Sequence, residues 1–494
     1  MKILARIEKS KSSWFLIFIA FLFFLLRLPS LFEPIWYGDE GIYQAVGMAM
    51  REGKILYAQT WDNKTPLLYA VYAFFSSDQF GVRFASLLTG LLSVFLFFLL
   101  AKRLFTHTKT VFFTTGVYAV FFGLPLLEGN IANSENFMLF FILLAGYLVV
   151  KTTPKAEPML LLAAGASLSI AFLFKIVGIF DFAAFLFFLA ISSYTSLAKL
   201  RLLVSKAFPF IIAFISPILL TILFFLTQNA LDEFFSAAFK QNVGYVGYGN
   251  TFFIPQGFLI LKLLLLAIFL LIVFLYRKLL SQSSLFILTW FAFSLFNAFF
   301  AQRPYTHYLL VLLPSIVLLV GLISFERVTE KNVTLYRERF LRNAATMGAI
   351  ASLFFIGINF RVYIKTFLYY QNFLSFLTHK STVTTYQAFF DRNTPRDYEL
   401  SHYLKNHLLS NDTIFVWGNN AQLYKLVEKA PPTKYTVVYH INASKGSMLE
   451  VQTELDRIKP RFIVVISKDP LFPKTAHYRE KIIIKDAIVY ERIN

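Results

Sequence analysis

The sequence predicts an α-helical polytopic membrane protein that ends in a small α/β domain, and three observations carry that expectation. First, the 494 residues are 57% hydrophobic and only 15% charged, with 60 phenylalanines, more apolar surface than a soluble core of this length can hide. Second, apolar runs long enough to cross a bilayer recur through the first 360 residues. Third, the pattern changes after Thr394, where short β-rich runs alternate with helical ones. A net charge of +19 would point to nucleic acid in a soluble chain. A polytopic chain gathers Lys and Arg in its cytoplasmic loops for topological reasons, so no nucleic-acid partner is expected. The lack of cysteine excludes disulfides, thiolate metal sites and a cysteine nucleophile, and no pair among the seven histidines has the spacing of a helical metal motif.

The chain opens on MKILARIEKSKSS, in which Lys2, Arg6, Lys9 and Lys11 precede an apolar run from Trp14 to Leu26. No small-residue cleavage site follows, so the run reads as an uncleaved first helix and not as a signal peptide. A span needs about 20 predominantly apolar residues. On that criterion eleven spans are expected, near residues 13–32, 83–104, 110–127, 136–150, 158–174, 177–196, 207–227, 257–276, 283–300, 308–325 and 343–360. With the N-terminus cytoplasmic, the inner segments hold 19 Lys and Arg and the outer loops up to position 307 hold 7, the asymmetry of the positive-inside rule. The odd count then puts everything past about residue 361 outside the plasma membrane.

The first outer loop, residues 33–82, carries YGDEGIYQAVGMAMREGKILYAQTWDNKTP. It is expected to hold a helix from Glu40 to Glu52 with Asp39 as N-cap and Gly53 just past its end. Ile42, Val46, Ala49 and Met50 repeat at helical spacing, which suits a helix lying along the membrane surface. PLLYAVYAFF is a second amphipathic piece. The later outer loops are EGNIANSE, short and acidic; a turn with KIVGIFD; a fourth loop ending in a Gly/Tyr-rich segment expected to be mobile; and AQRPYTHY. The expected domains are a membrane domain over 1–360, an aromatic amphipathic connection over 361–393 and a C-terminal domain over 394–494. The last should run helix from Pro395 to Leu409, strand TIFVWG, short helix, strand YTVVYH, helix at 447–458, strand RFIVVIS and a final strand at 482–491. It has no glycine-rich phosphate loop, so nucleotide binding has no support.

Asp39 and Glu40 lie just outside the first span, where an acid can act as a base on a substrate held at the membrane surface. The plainer reading is that Asp caps a helix and that acids in a first turn complement its dipole, and it applies equally to Glu135 in ANSE. Lys64, beside a proline turn, is a phosphate contact or simply a solvated lysine. Arg27, inside the first apolar run, should face a partner or water because an unpaired charge there is costly. Lys175 and Asp181 lie close enough in sequence to neutralise one another. Arg303, Tyr305, His307 and Tyr308 gather donors at one helix entrance, which suits an anionic phosphate or, alternatively, an interfacial aromatic belt with an arginine anchor. By the charge argument all these clusters fall on the outer side, and that tips the balance towards chemistry.

The order RLPSLF, YGDEGIY, DNKTPLLY, GVRFASLLTGLLSVFLFFLLAKRLF, ANSENFMLFF, FKIVGI and RPYTHYLLVLLP resembles the GT-C glycosyltransferases related to protein O-mannosyltransferases and to lipid A aminoarabinose transferases. The resemblance covers roughly residues 13–325, and WGNNAQLYKLVEKAPPTKY is similar to the C-terminal domains such enzymes often carry. It implies a GT-C type fold and a mannosyltransferase-like enzyme that takes a sugar from a polyprenyl-phosphate carrier and transfers it, with inversion, to an outer acceptor. Asp39 then matches the family's first-loop aspartate, which orients or deprotonates the acceptor, and Glu40 the acid beside it. Glu135 takes the place of a second-loop acid. Lys64 matches a lysine near the carrier phosphate, with Arg83, Arg303, Tyr305, His307 and Tyr308 as further phosphate contacts. Aminoarabinose transferases carry a glutamate directly before the lysine, and here that position is Asn63. The sequence shows no required cofactor; a divalent metal stays open and is not favoured. The expected partners are the polyprenyl-phosphate-linked donor, membrane lipid and an unspecified glycan, lipid or protein acceptor. The rival reading is a transporter or flippase of lipid-linked saccharides, which would call for internal repeats and ionisable groups near the midplane that the sequence does not display.

Overall fold

The computed structural model describes residues 10–152, 157–193, 200–242, 258–300, 305–360, 365–443, 446–466 and 477–493. Arg303 and the Gly/Tyr-rich segment 243–257 lie outside the described residues. Among the described residues, eight helices are at least 18 residues long and apolar enough to cross a membrane. They are Lys11–Phe32, Gln79–Leu104, Ser134–Lys151, Arg201–Thr227, Leu259–Tyr276, Gln282–Phe300, Tyr308–Phe325 and Leu335–Asn359, and they make this an integral membrane protein. The expected spans at 110–127, 158–174 and 177–196 are helical too, as Thr108–Gly123, Pro158–Phe174 and Ile179–Ser193, but at 16, 17 and 15 residues they fall short of that length. Among the described residues, eight of the eleven expected spans thus meet that length and three are shorter apolar helices.

The chain folds as two compact units. One comprises Met1–Leu28, Ala85–Ile222 and Val243–Thr366. Within it Arg27 is completely buried, with Nη2 donating to Ser86 Oγ at 3.2 Å and the guanidinium 6.0 Å from the Phe23 ring centroid. A Cβ added at Gly165 would lie 2.1 Å from the Phe210 carbonyl oxygen, so the glycine lets Pro158–Phe174 meet Leu200–Thr227 backbone to backbone. Lys175 and Asp181 do not pair as expected. Lys175 sits in extended backbone ahead of helix Ile179–Ser193 and binds Glu135, while Asp181 accepts from Trp290 Nε1 at 2.8 Å.

The other unit comprises Pro29–Phe84, Leu223–Asn242 and Phe367–Asn494. Its first-loop helix is Gly38–Arg51 and its N-cap is Tyr37, not Asp39: the chain turns helical at Gly38, and the Gly41 amide already bonds the Tyr37 carbonyl at 3.0 Å. Asp39 is thereby placed in the first turn, where its charge meets the positive end of the helix dipole. Gly53, at φ +89°, follows the helix end in the left-handed region that favours glycine. A Cβ at Gly41 would lie 2.6 Å from the Gln422 backbone nitrogen, so this helix touches Gln422–Leu426 at its backbone.

The sheet follows Thr394–His407 and contains β1 (Ile414–Trp417), β2 (Phe462–Val465), β3 (Tyr478–Ile484) and β4 (Ala487–Arg492) in the order β1-β2-β4-β3. β1 and β2 are parallel, joined by a crossover that includes Ser447–Ile458, and β4 is antiparallel to both its neighbours. Two expectations are corrected. YTVVYH is not a strand: Tyr435 makes one bridge to Trp61, and Val438–Ala443 is helical, the ambiguity inherent in a short apolar run. The single last strand is instead the β3–β4 hairpin, which turns at Lys485 with φ 55°.

Candidate active site

The two adjacent acids of helix Gly38–Arg51 meet different surroundings. Glu40 is 2% exposed and accepts two bonds from Arg83, from Nε to Oε1 at 3.0 Å and from Nη2 to Oε2. Arg83 is itself fully buried, and its Nη1 reaches the Ser30 carbonyl at 2.7 Å and Glu33 Oε2 at 2.9 Å. Glu33 also accepts from Trp36 Nε1 at 2.8 Å and from the Tyr369 hydroxyl at 2.6 Å. Burial, with Glu33 alongside, raises the Tyr369 hydroxyl well above the ordinary phenol range, so it stays a donor. One guanidinium fork thus balances two buried carboxylates. Asp39 is half-buried and accepts from the Tyr43 hydroxyl at 3.4 Å.

In the same unit, Lys64 stands on a loop held at both its backbone groups. Its amide donates to the Tyr69 hydroxyl at 3.0 Å, and its carbonyl accepts from the Tyr57 hydroxyl at 2.7 Å. Burial and the nearby Asp62 raise both hydroxyls well above the phenol range. The Lys64 ammonium donates to Asn63 Oδ1 at 3.3 Å.

Glu135, Tyr305, His307 and Tyr308 come together in the other unit. Glu135 lies 2% exposed in the first turn of Ser134–Lys151 and is ion-paired to Lys175. The Lys175 ammonium sits 4.3 Å from the Tyr308 ring centroid. His307 is 7% exposed, with Nδ1 2.9 Å from Glu128 Oε2 and Nε2 3.9 Å from Glu135 Oε1. Thr306 donates to the other Glu128 oxygen. The Tyr305 ring stacks on the imidazole at 5.5 Å, and Tyr308 meets it edge-on at 4.7 Å. Glu128 adopts the left-handed conformation, φ 59°, which is uncommon for a side-chain-bearing residue. The cluster couples one cation, two acids and an imidazole.

The structure therefore places Asp39, Glu40, Lys64 and Arg83 in one unit and Glu135, Tyr305, His307 and Tyr308 in the other. Sequence reasoning missed Glu33 and Glu128 and misassigned Lys175. Glu128 opens the acidic EGNIANSE stretch, and Lys175 belongs to FKIVGI, so both carried a signal. Among the described residues no group of three or more His, Asp or Glu side chains is arranged to hold a metal ion.

The family model of dolichyl-phosphate-mannose-protein mannosyltransferases matches residues 67–220. No curated protein matches in sequence. Among solved structures, ArnT from Cupriavidus metallidurans bound to undecaprenyl phosphate superposes with a TM-score of 0.56 at 14% identity, covering 97% of this chain and 98% of that one. The archaeal oligosaccharyltransferase AglB from Archaeoglobus fulgidus, in complex with an inhibitory peptide and a dolichol-phosphate, gives 0.49 at 11% identity, covering 93% and 69%. The chain has the GT-C glycosyltransferase fold and resembles the mannosyltransferase and ArnT branch of that superfamily.

Proposed function

We propose that this protein transfers a sugar from a polyprenyl-phosphate carrier to an acceptor hydroxyl on the extracytoplasmic face, with inversion at the anomeric carbon. The observation that carries the reading is the division of labour between neighbours: Glu40 is locked by Arg83, whereas Asp39 stays half-exposed, in a chain whose fold is that of an enzyme seen with undecaprenyl phosphate. Asp39 takes the proton of the acceptor hydroxyl as its oxygen attacks the anomeric carbon. The bond from that carbon to the phosphate oxygen breaks on the opposite face, and polyprenyl phosphate departs with the electron pair. Lys64 meets the phosphate charge, and His307 and Tyr308 beside Lys175 form, within their own unit, a centre of the kind that suits an anionic phosphate. Glu40 and Arg83 act by positioning, since both are committed to a buried ion pair that fixes the helix carrying Asp39. Glu135 holds Lys175.

The test is Asp39→Asn in purified protein supplied with a polyprenyl-phosphate-linked sugar, reading release of polyprenyl phosphate. The expected loss is about 10²- to 10⁴-fold. Undiminished transfer overturns the assignment of Asp39, and carrier movement across proteoliposomes without bond cleavage would make the protein a flippase.

A further inference from the structure

Asp62 is 3% exposed and sits two residues before Lys64. Its Oδ2 accepts from the Tyr69 hydroxyl at 2.7 Å and its Oδ1 from the Asn63 amide at 2.8 Å. Because that hydroxyl donates to Asp62, its lone pair is left to receive the Lys64 amide at 3.0 Å. The other residue facing Asp62 comes from far along the chain. His440, on helix Val438–Ala443 and 4% exposed, brings Nε2 to 3.5 Å from Asp62 Oδ1. Asp62 can only accept, so the neutral ring presents its N–H from Nε2. Among the described residues its Nδ1 has no hydrogen-bond partner, which leaves the Nε2 contact as the polar task of the ring there. Trp61 packs edge-on against the imidazole at 4.7 Å, and the Trp61 amide bonds the Lys434 carbonyl at 2.9 Å. Lys54 is tied to the same stretch through the carbonyls of Pro431 at 2.6 Å and Pro432 at 3.1 Å.

We infer that His440 and Asp62 are positioning residues for Lys64: the C-terminal helix Val438–Ala443 sets the lysine's backbone through a buried carboxylate and the Tyr69 hydroxyl. The inference rests on the reading of Lys64 as a contact of the carrier phosphate. A histidine recruited only for packing would need neither the carboxylate nor the hydroxyl, whereas this relay ends on the lysine's own amide. The C-terminal domain is then part of the machinery that presents the donor-binding cation.

Two readouts test it on the full-length protein in detergent. Hydrogen exchange at the Lys64 amide should quicken about tenfold in His440→Phe, which keeps the ring volume, and in Tyr69→Phe, which removes only the relay hydroxyl; His440→Gln, which keeps an N–H, should restore slow exchange. In steady-state kinetics His440→Phe should raise the KM for a polyprenyl-phosphate sugar several-fold with kcat little changed. The double variant with Lys64→Met should be no worse than Lys64→Met alone. Unchanged exchange at Lys64 in both phenylalanine variants overturns the inference, as does strict additivity of His440→Phe and Lys64→Met. Should Lys64→Met leave the donor KM untouched while the exchange effect stands, the proposed role of Lys64 falls and the positioning relay survives.

Discussion

Two buried acids, each in the first turn of its helix, have been neutralised in opposite ways. Glu40 and Glu33 share Arg83, whose planar fork makes four contacts to two carboxylates and a carbonyl and is 0% exposed. Glu135 is paired with Lys175, a point charge that also rests on the Tyr308 ring, with His307 Nε2 3.9 Å away. Arginine with satisfied geometry gives rigidity; lysine on a flexible stem can exchange partners. The first centre is thus suited to framing the helix that carries Asp39, and the second to meeting a charge that arrives and departs.

The largest effect is expected from Arg83→Met. It leaves Glu33 and Glu40 buried without a cation, and the expected loss of stability is about 3–5 kcal/mol. Arg83→Lys should rescue little because one ammonium cannot reproduce the fork. Thermal unfolding in detergent checks both, and near-wild-type stability of Arg83→Met would place the two centres in one class. Lys175→Met should do less damage, about 2–3 kcal/mol, because it strands one buried carboxylate where Arg83→Met strands two, and Glu135 keeps the helix dipole of its first turn. It should also weaken donor turnover, which Arg83→Lys, where it folds, should do only through stability.

How much of this was legible in the sequence depends on the range of the interaction. Apolar helices and the β1 and β2 runs are signalled by residues that are neighbours in sequence: eight of the expected spans and both strands stand where hydropathy and β-propensity place them. YTVVYH failed because the same apolar run fits either period, and it is contact with Trp61 that decides its first residue. The N-cap moved because the helix begins at Gly38, two residues before the expected start, so Asp39 lies inside the first turn and Tyr37 is the cap. RPYTHY, ANSE and YGDE could be found as motifs, but not their partners. Glu128 meets His307 across 179 positions and Arg83 meets Glu40 across 43, and no local pattern reports such pairings. Lys175 was read against the nearer Asp181 for the same reason.

A smaller effect tests the His440 contact against both ion centres, since here burial opposes charge without a full ion pair. Burial pushes the imidazole down to about 4, against the upward pull of Asp62, with Lys64 adding to the downward shift. The unfolded chain takes up this proton near pH 6.5 and the folded chain only near 4. The stabilisation is therefore complete above about 6.5 and is lost as the pH falls towards 4. Between pH 6.5 and 5 the decline is roughly 2 kcal/mol at the usual 1.36 kcal/mol per unit. His440→Gln should lack that part of the acid sensitivity, as unfolding at pH 7 and pH 5 would reveal; parallel declines in the two proteins would remove the buried neutral imidazole from the account.

The smallest expected shift in stability belongs to the residue expected to matter most for turnover. Asp39 stands outside both ion centres, half-exposed, with the Tyr43 hydroxyl 3.4 Å away. Asp39→Asn gives up only its interaction with the helix dipole, worth about 0.3–1 kcal/mol, and keeps an acceptor for Tyr43. Glu40→Gln, one residue along, strips the charge from one side of the Arg83 fork and should destabilise several times more. If the two substitutions destabilise equally, Asp39 belongs to the frame and its place as the base is lost. If Asp39→Asn unfolds like the wild type yet no longer releases polyprenyl phosphate, the division between a rigid, arginine-locked frame and the carboxylate it holds in place stands at the level of two adjacent residues.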